Sequence, residues 1–61
     1  MSDKVEITVQ VRAETPKAYL VFDGDVEAWL PKSQVEVISQ EDAETITIEI
    51  PEWLAQDREL I

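Results

Sequence analysis

Apolar and polar residues alternate along most of the chain, and this period of two predicts a protein built of β-strands. In residues 5–13 every odd position is apolar, from Val5 to Ala13, and every even position is polar. Such a segment is a half-buried strand. It ends at Thr15-Pro16, because proline restricts the residue before it and has no N–H for the next ladder bond.

The same pattern predicts four more strands, at residues 17–22, 26–30, 35–40 and 45–50. In the last of them Ile46, Ile48 and Ile50 are predicted to point inward. The proline-led stretch 31–34 is predicted to be a tight or 3₁₀ turn, and the acidic stretch 41–44 a solvated loop. Residues 51–60 are predicted to form a short helix that must dock on the sheet or on a partner, because it is too short to be stable alone.

The segment Asp23-Gly24-Asp25 lies between two apolar runs and predicts a β-hairpin. A three-residue loop would put Phe22 opposite Val26. One face would then hold the core residues, and the other would hold polar and aromatic side chains. The expected core face is Ala18, Leu20, Phe22, Val26, Ala28 and Leu30, and the expected outward face is Lys17, Tyr19, Val21, Glu27 and Trp29. A two-residue loop would group Leu20, Glu27 and Trp29, so the three-residue loop segregates the faces better.

The 61 residues make one small domain, 1–61, with a marginal core and no cysteine to cross-link it. The predicted fold class is mainly β, a small five-stranded SH3-like barrel or rolled antiparallel sheet with a short C-terminal helix. Residues 29–37, Trp29-Leu30-Pro31-Lys32-Ser33-Gln34-Val35-Glu36-Val37, resemble the late strand–3₁₀–strand passage of SH3-like barrels. The aromatic motif of peptide-binding SH3 domains is absent, so proline-peptide binding is not implied.

The residue types disfavour an enzyme. Histidine and cysteine are absent, which removes the commonest general base, the usual zinc ligands and the Cys–His nucleophile. Asp23, Asp25 and Glu27 have the alternate spacing of a calcium loop but lack the full EF-hand pattern, so a solvated hairpin tip is the preferred interpretation. We therefore expect no catalytic residue, no metal site and no cofactor.

The formal net charge is −9, and it is unevenly spread. Residues 1–32 hold six acidic and four basic residues, whereas residues 33–61 hold eight acidic residues and one basic residue. This charge disfavours direct binding to nucleic acid or to anionic membranes and favours a basic protein or nucleic-acid-binding complex as partner. No apolar run of about 20 residues and no leader pattern is visible, so the expected location is the cytoplasm.

Lys17-Ala18-Tyr19-Leu20-Val21 followed by Trp29-Leu30-Pro31-Lys32-Ser33-Gln34 is similar to a pattern in short, uncharacterised phage and prophage proteins. The resemblance covers the middle third of the chain. It implies a phage context, in which small acidic proteins block host enzymes, as anti-CRISPR and anti-restriction proteins do. The implied location is then the host cytoplasm.

Three surfaces are candidates for partner binding. The first is acidic and could imitate a row of phosphates, although such charge also simply keeps a small domain soluble. The second is the sheet face that carries Tyr19, Val21 and Trp29, although the preferred expectation is that Trp53 and Leu54 of the helix cover it. The third is residues 5–11 as an exposed edge strand, which would favour a homo-oligomer. The acidic candidates are Glu36, Glu41, Asp42, Glu44 and Glu49.

Overall fold

The structure is a computed structural model, which describes residues 3–61. It is mainly β, with five strands, one 3₁₀ turn and one short helix, which confirms the predicted fold class. The 3₁₀ turn lies within the predicted stretch 31–34, although Pro31 itself ends β3. The elements are β1 (Lys4–Glu14), β2 (Ala18–Phe22), β3 (Glu27–Pro31), the 3₁₀ turn Lys32–Gln34, β4 (Glu36–Gln40), β5 (Thr45–Pro51) and α1 (Glu52–Asp57).

The strands form one antiparallel sheet in the order β3-β2-β1-β5-β4. The long β1 lies at its centre. Its second half pairs with β2, and its first half pairs with β5 from Lys4 opposite Pro51 to Gln10 opposite Thr45. The prediction that residues 5–11 form an exposed edge was therefore wrong, because that segment is covered by the last strand. The two edges of the sheet are β3 and β4.

The core lies on one face of this rolled sheet, under α1. The isoleucines of β5 point inward as predicted, and Val9 of β1 is buried beside them. The opposite face, which we call the outer face, carries the polar residues of β1 and β5. The buried core consists of Val9, Val21, Leu30, Ile46, Ile48, Ile50, Leu54, Ala55 and Leu60.

The β2–β3 hairpin differs from its predicted register by one residue. Phe22 lies opposite Glu27, not Val26, and Leu20 lies opposite Trp29. Val21 is therefore fully buried, whereas Leu20 and Phe22 lie on the outer face and are half-buried. Grouping Leu20, Glu27 and Trp29 buries no carboxylate, because their shared face is the outer one.

The cause of this register is a four-residue loop built by Asp23. Its carboxylate accepts N–H bonds from Asp25 at 2.8 Å and from Val26 at 2.7 Å, while the Asp23 N–H donates to the Val26 carbonyl. Gly24 adopts a φ of 103°, which suits glycine. Val26 is therefore held inside the loop and does not start the next strand.

Helix α1 ends at Asp57, earlier than the predicted residue 60. The Leu60 N–H donates to the Ala55 carbonyl and the Glu59 N–H to the Gln56 carbonyl, with Glu59 at a φ of 61°. These two bonds and the left-handed residue make a Schellman motif, which turns Leu60 back into the core. The sequence has no glycine there to signal this stop.

Candidate protein-binding surface

Three glutamates of neighbouring strands lie side by side on the outer face. Glu49 of β5 lies opposite Glu6 of β1 on one side and opposite Glu36 of β4 on the other. We call Glu6, Glu49 and Glu36 the acidic row. Adjacent strands are about 4.8 Å apart, so three carboxylates extend from the same short strip of the sheet.

A second group of carboxylates lies in the loop that joins β4 to β5. We call residues 41–44 the acidic loop; it contains Glu41, Asp42 and Glu44, all exposed. The Asp42 carboxylate accepts the N–H groups of Glu44 and Thr45, both at 2.9 Å. These bonds hold the pKa of the Asp42 carboxyl below the ordinary value of 3.8, and the bond from Glu44 has a larger effect than the bond from Thr45.

The acidic row and the acidic loop lie at opposite ends of the β4–β5 hairpin. Glu49 lies four positions after Thr45, or about 13 Å along a strand. The outer face between them is neutral, with Thr47 bonded to Thr8 through their hydroxyls at 3.0 Å. The structure thus divides the five predicted acidic residues into two groups on one hairpin, and adds Glu6 to the first.

The acidic candidates predicted from the sequence did not include Glu6, although its place in the alternating pattern of residues 5–13 marks it as outward-facing. What brings it beside Glu49 is the pairing of β1 with β5, which joins segments far apart in the chain. No local pattern reports such a pairing.

The acidic row has no basic partner within the described residues. The ion pairs found in residues 3–61 are Lys32 with Glu14 and Arg58 with Asp57. Lys4 lies on the same face as the row and shares a shallow depression with Glu36 and Glu49, but forms no ion pair with them. The negative charge of the row is therefore available to a partner.

The two aromatic candidates lie in different environments. Tyr19 packs against the core, and the Lys32 ammonium lies 4.8 Å from its ring centre, so the prediction that Tyr19 lies off the core face was wrong. Trp29 is 46% exposed and lies on the outer face, as predicted. Trp53 is 57% exposed, so it does not form the expected cover. Of the two aromatic candidates, Trp29 is therefore the exposed one, and it lies on β3, the edge strand opposite β4.

Concave sites for small ligands are modest. One depression has a volume of about 380 Å³ and is lined by Pro16, Lys17, Pro31, Lys32 and Ser33. Within residues 3–61, no group of three or more acidic side chains is arranged to hold a metal ion. In the Asp23-x-Asp25-x-Glu27 segment, the Asp23 carboxylate accepts the loop N–H groups of Val26 and Asp25, which lower the pKa of Asp23.

Compared with models of protein families, with curated proteins and with solved structures, the chain matches none of them. Among residues 3–61 no helix has the length and apolar character needed to cross a membrane.

Proposed function

We propose that this protein is a non-catalytic binding module whose acidic outer face docks on a basic protein surface. The observation that carries the proposal is the acidic row, three adjacent carboxylates without a basic partner in the described chain. Like charges directly opposite one another destabilise a sheet. A cationic partner would relieve that repulsion, so binding there is favoured beyond the attraction of net charge.

The partner class that fits best is a protein whose basic groove normally holds nucleic acid. Carboxylates that follow one another at about 4.8 Å present a series of negative charges that such a groove attracts. The sharpest form of the proposal is a phage-type inhibitor, of the anti-CRISPR or anti-restriction kind, acting in the host cytoplasm. It would act by steric and electrostatic occlusion of the groove, with no bond made or broken.

Charge reversal at matched positions tests this proposal. One variant carries Glu36→Lys and Glu49→Lys, a second carries Glu41→Lys, Asp42→Lys and Glu44→Lys, and a control carries Asp25→Lys and Glu59→Lys. The probes are purified restriction and CRISPR effector complexes, with binding measured in competition with their DNA. The first variant and the control each reverse two charges, so these two have the same net charge and are compared directly. The second variant reverses three charges.

We expect the variant of the acidic row to bind at least about tenfold more weakly than the control, and association to slow as salt rises. Equal losses in that variant and the control would mean that net charge alone acts. Failure of the unaltered protein to bind any of these complexes would reject the inhibitor form of the proposal.

A second candidate function is an accessory protein that acts as a homo-oligomer. The observation in its favour is the exposure of large apolar side chains on so small a chain: Trp29, Val37, Ile38, Trp53 and Ile61 are each more than 40% exposed. Burying such surface between copies would add to a marginal core. Sedimentation at micromolar concentration decides: a tight oligomer favours this function, and a monomer favours the inhibitor.

A further inference from the structure

The sheet ends in two edge strands, and the end of β3 at Trp29 and Pro31 is partly blocked to further pairing. The Lys32 N–H donates to the Lys17 carbonyl at 2.8 Å. Alternation along an antiparallel ladder therefore turns the backbone groups of Trp29 and Pro31 to the free side. Pro31 has no N–H to offer there, and the Trp29 carbonyl already accepts a bond from Arg58 Nε at 3.1 Å.

The other edge, β4, lacks this protection. All of its residues are exposed, and within residues 3–61 its backbone makes no hydrogen bond beyond β5 and its own hairpin. The Glu41 N–H donates to the Thr45 carbonyl at 2.8 Å, so the preceding Gln40 turns its N–H and carbonyl outward. Val37 and Ile38 beside it are 47% and 44% exposed. Free backbone groups thus lie next to apolar side chains.

The acidic row ends at this open edge, with Glu36 as its last carboxylate. A strand added to β4 would place one outward side chain directly beside Glu36, about 4.8 Å away. Opposite charges in such cross-strand positions stabilise a sheet, and like charges destabilise it. The open edge therefore selects for a cationic side chain at that position.

A second copy of this chain fits the edge less well. Antiparallel pairing of β4 with itself about Ile38 would place Gln40 of the copy beside Glu36, which adds no opposite charge. It would also bring together two chains that each carry −9. In that self-pairing the irregularities between Val37 and Ser39 of the two chains would lie opposite each other and interrupt the ladder at its centre.

We infer that β4 is a docking edge for an extended basic segment of the partner, which adds a sixth strand to the sheet. Backbone bonds to the free groups of β4 would supply affinity, and lysine or arginine at alternate positions would lie beside the acidic row. This inference rests on the proposed function and specifies how the partner is held.

The test uses a blocked seven-residue peptide of alternating lysine and valine, beginning and ending with lysine, and the isotopically labelled protein. The matched control peptide has the same sequence and charge, but its backbone nitrogens are methylated and cannot donate. Affinity and amide exchange are followed by NMR. We expect the methylated peptide to bind at least about tenfold more weakly, since backbone bonds are lost.

Amide exchange locates the contact. We expect the Gln40 amide to exchange at least about tenfold more slowly when the unmethylated peptide is bound. The Trp29 amide, on the blunted edge, should exchange at an unchanged rate. Protection of Trp29 in place of Gln40 would overturn the assignment of β4.

Equal binding of the two peptides would show that only charge is recognised, which rejects the docking edge and leaves the proposed function standing. Binding of neither peptide would also reject the docking edge, while the charge-reversal experiment still judges the proposed function. A dimer that forms without peptide and protects Gln40 would show that a second copy occupies the edge.

Discussion

Two aspartates, Asp23 and Asp42, build the two hairpin loops in the same way. Each accepts two backbone N–H groups from the residues two and three positions further on. The N–H groups favour the ionised carboxylate, which lowers the pKa of both residues. Asp42 therefore belongs to the acidic loop as a turn-forming residue as well as a negative charge.

The substitution Asp42→Asn should lower the melting temperature at pH 7, because the amide accepts the same N–H bonds without the negative charge. The folded pKa of Asp42 lies below the ordinary value of 3.8, so its contribution is present above that value and is lost as the pH falls through the folded pKa. Thermal unfolding from pH 7 to pH 2 should show the difference from the unaltered protein narrowing below about pH 4.

The matched control is Asp25→Asn, because the Asp25 carboxylate accepts no hydrogen bond within the described residues. This control should show a smaller difference at neutral pH. A gap for Asp42→Asn that stays constant down to pH 2 would contradict the role given to the ionised carboxylate.

At the scale of elements, the strands and the 3₁₀ turn could be predicted from the sequence, but the register of the β2–β3 hairpin could not. Alternation is clear in β1 and β5, where polar residues mark one face. In β2 both faces are apolar, with Leu20 and Phe22 on one and Tyr19 and Val21 on the other. The distribution of charged residues therefore does not determine the register of this hairpin. The register is set by the hydrogen bonds that the Asp23 carboxylate accepts.

This register makes a prediction about two neighbouring residues. Val21→Ala should destabilise the protein by about 2 kcal/mol, because it leaves a cavity in the core. Leu20→Ala removes a larger group but should cost less, about 1 kcal/mol or below, because Leu20 lies on the half-exposed outer face. Urea unfolding measures both. A larger loss from Leu20→Ala would favour the three-residue loop.

At the scale of the whole molecule, acidic side chains collect on the β4–β5 hairpin. The excess charge of residues 33–61 is visible in the sequence, and so is the outward direction of Glu36 and Glu49. The division into a row and a loop was not predictable, because it depends on which residues β5 places opposite one another. Glu49 lies between Glu6 of β1 and Glu36 of β4, so it is the most crowded of the three carboxylates.

Replacing Glu49 should therefore stabilise the protein. We expect Glu49→Gln to raise the free energy of unfolding by on the order of 0.5 kcal/mol at low salt, because it removes two like-charge contacts. The gain should shrink as added salt screens the row. Glu27→Gln is the control, since Glu27 lies opposite Phe22. An equal gain in the control would attribute the effect to net charge.

The central position of β1 has a consequence for how the chain folds as it is synthesised. The first half of β1 is synthesised before the strand that covers it, because β5 lies more than thirty residues further along the chain. Until β5 has been made, the backbone N–H and C=O groups on that side of β1 are unpaired, and the apolar side chains Val5, Ile7 and Val9 are not covered. The interval before β5 emerges is thus the stage of biosynthesis at which this chain is most exposed to aggregation and to capture by chaperones.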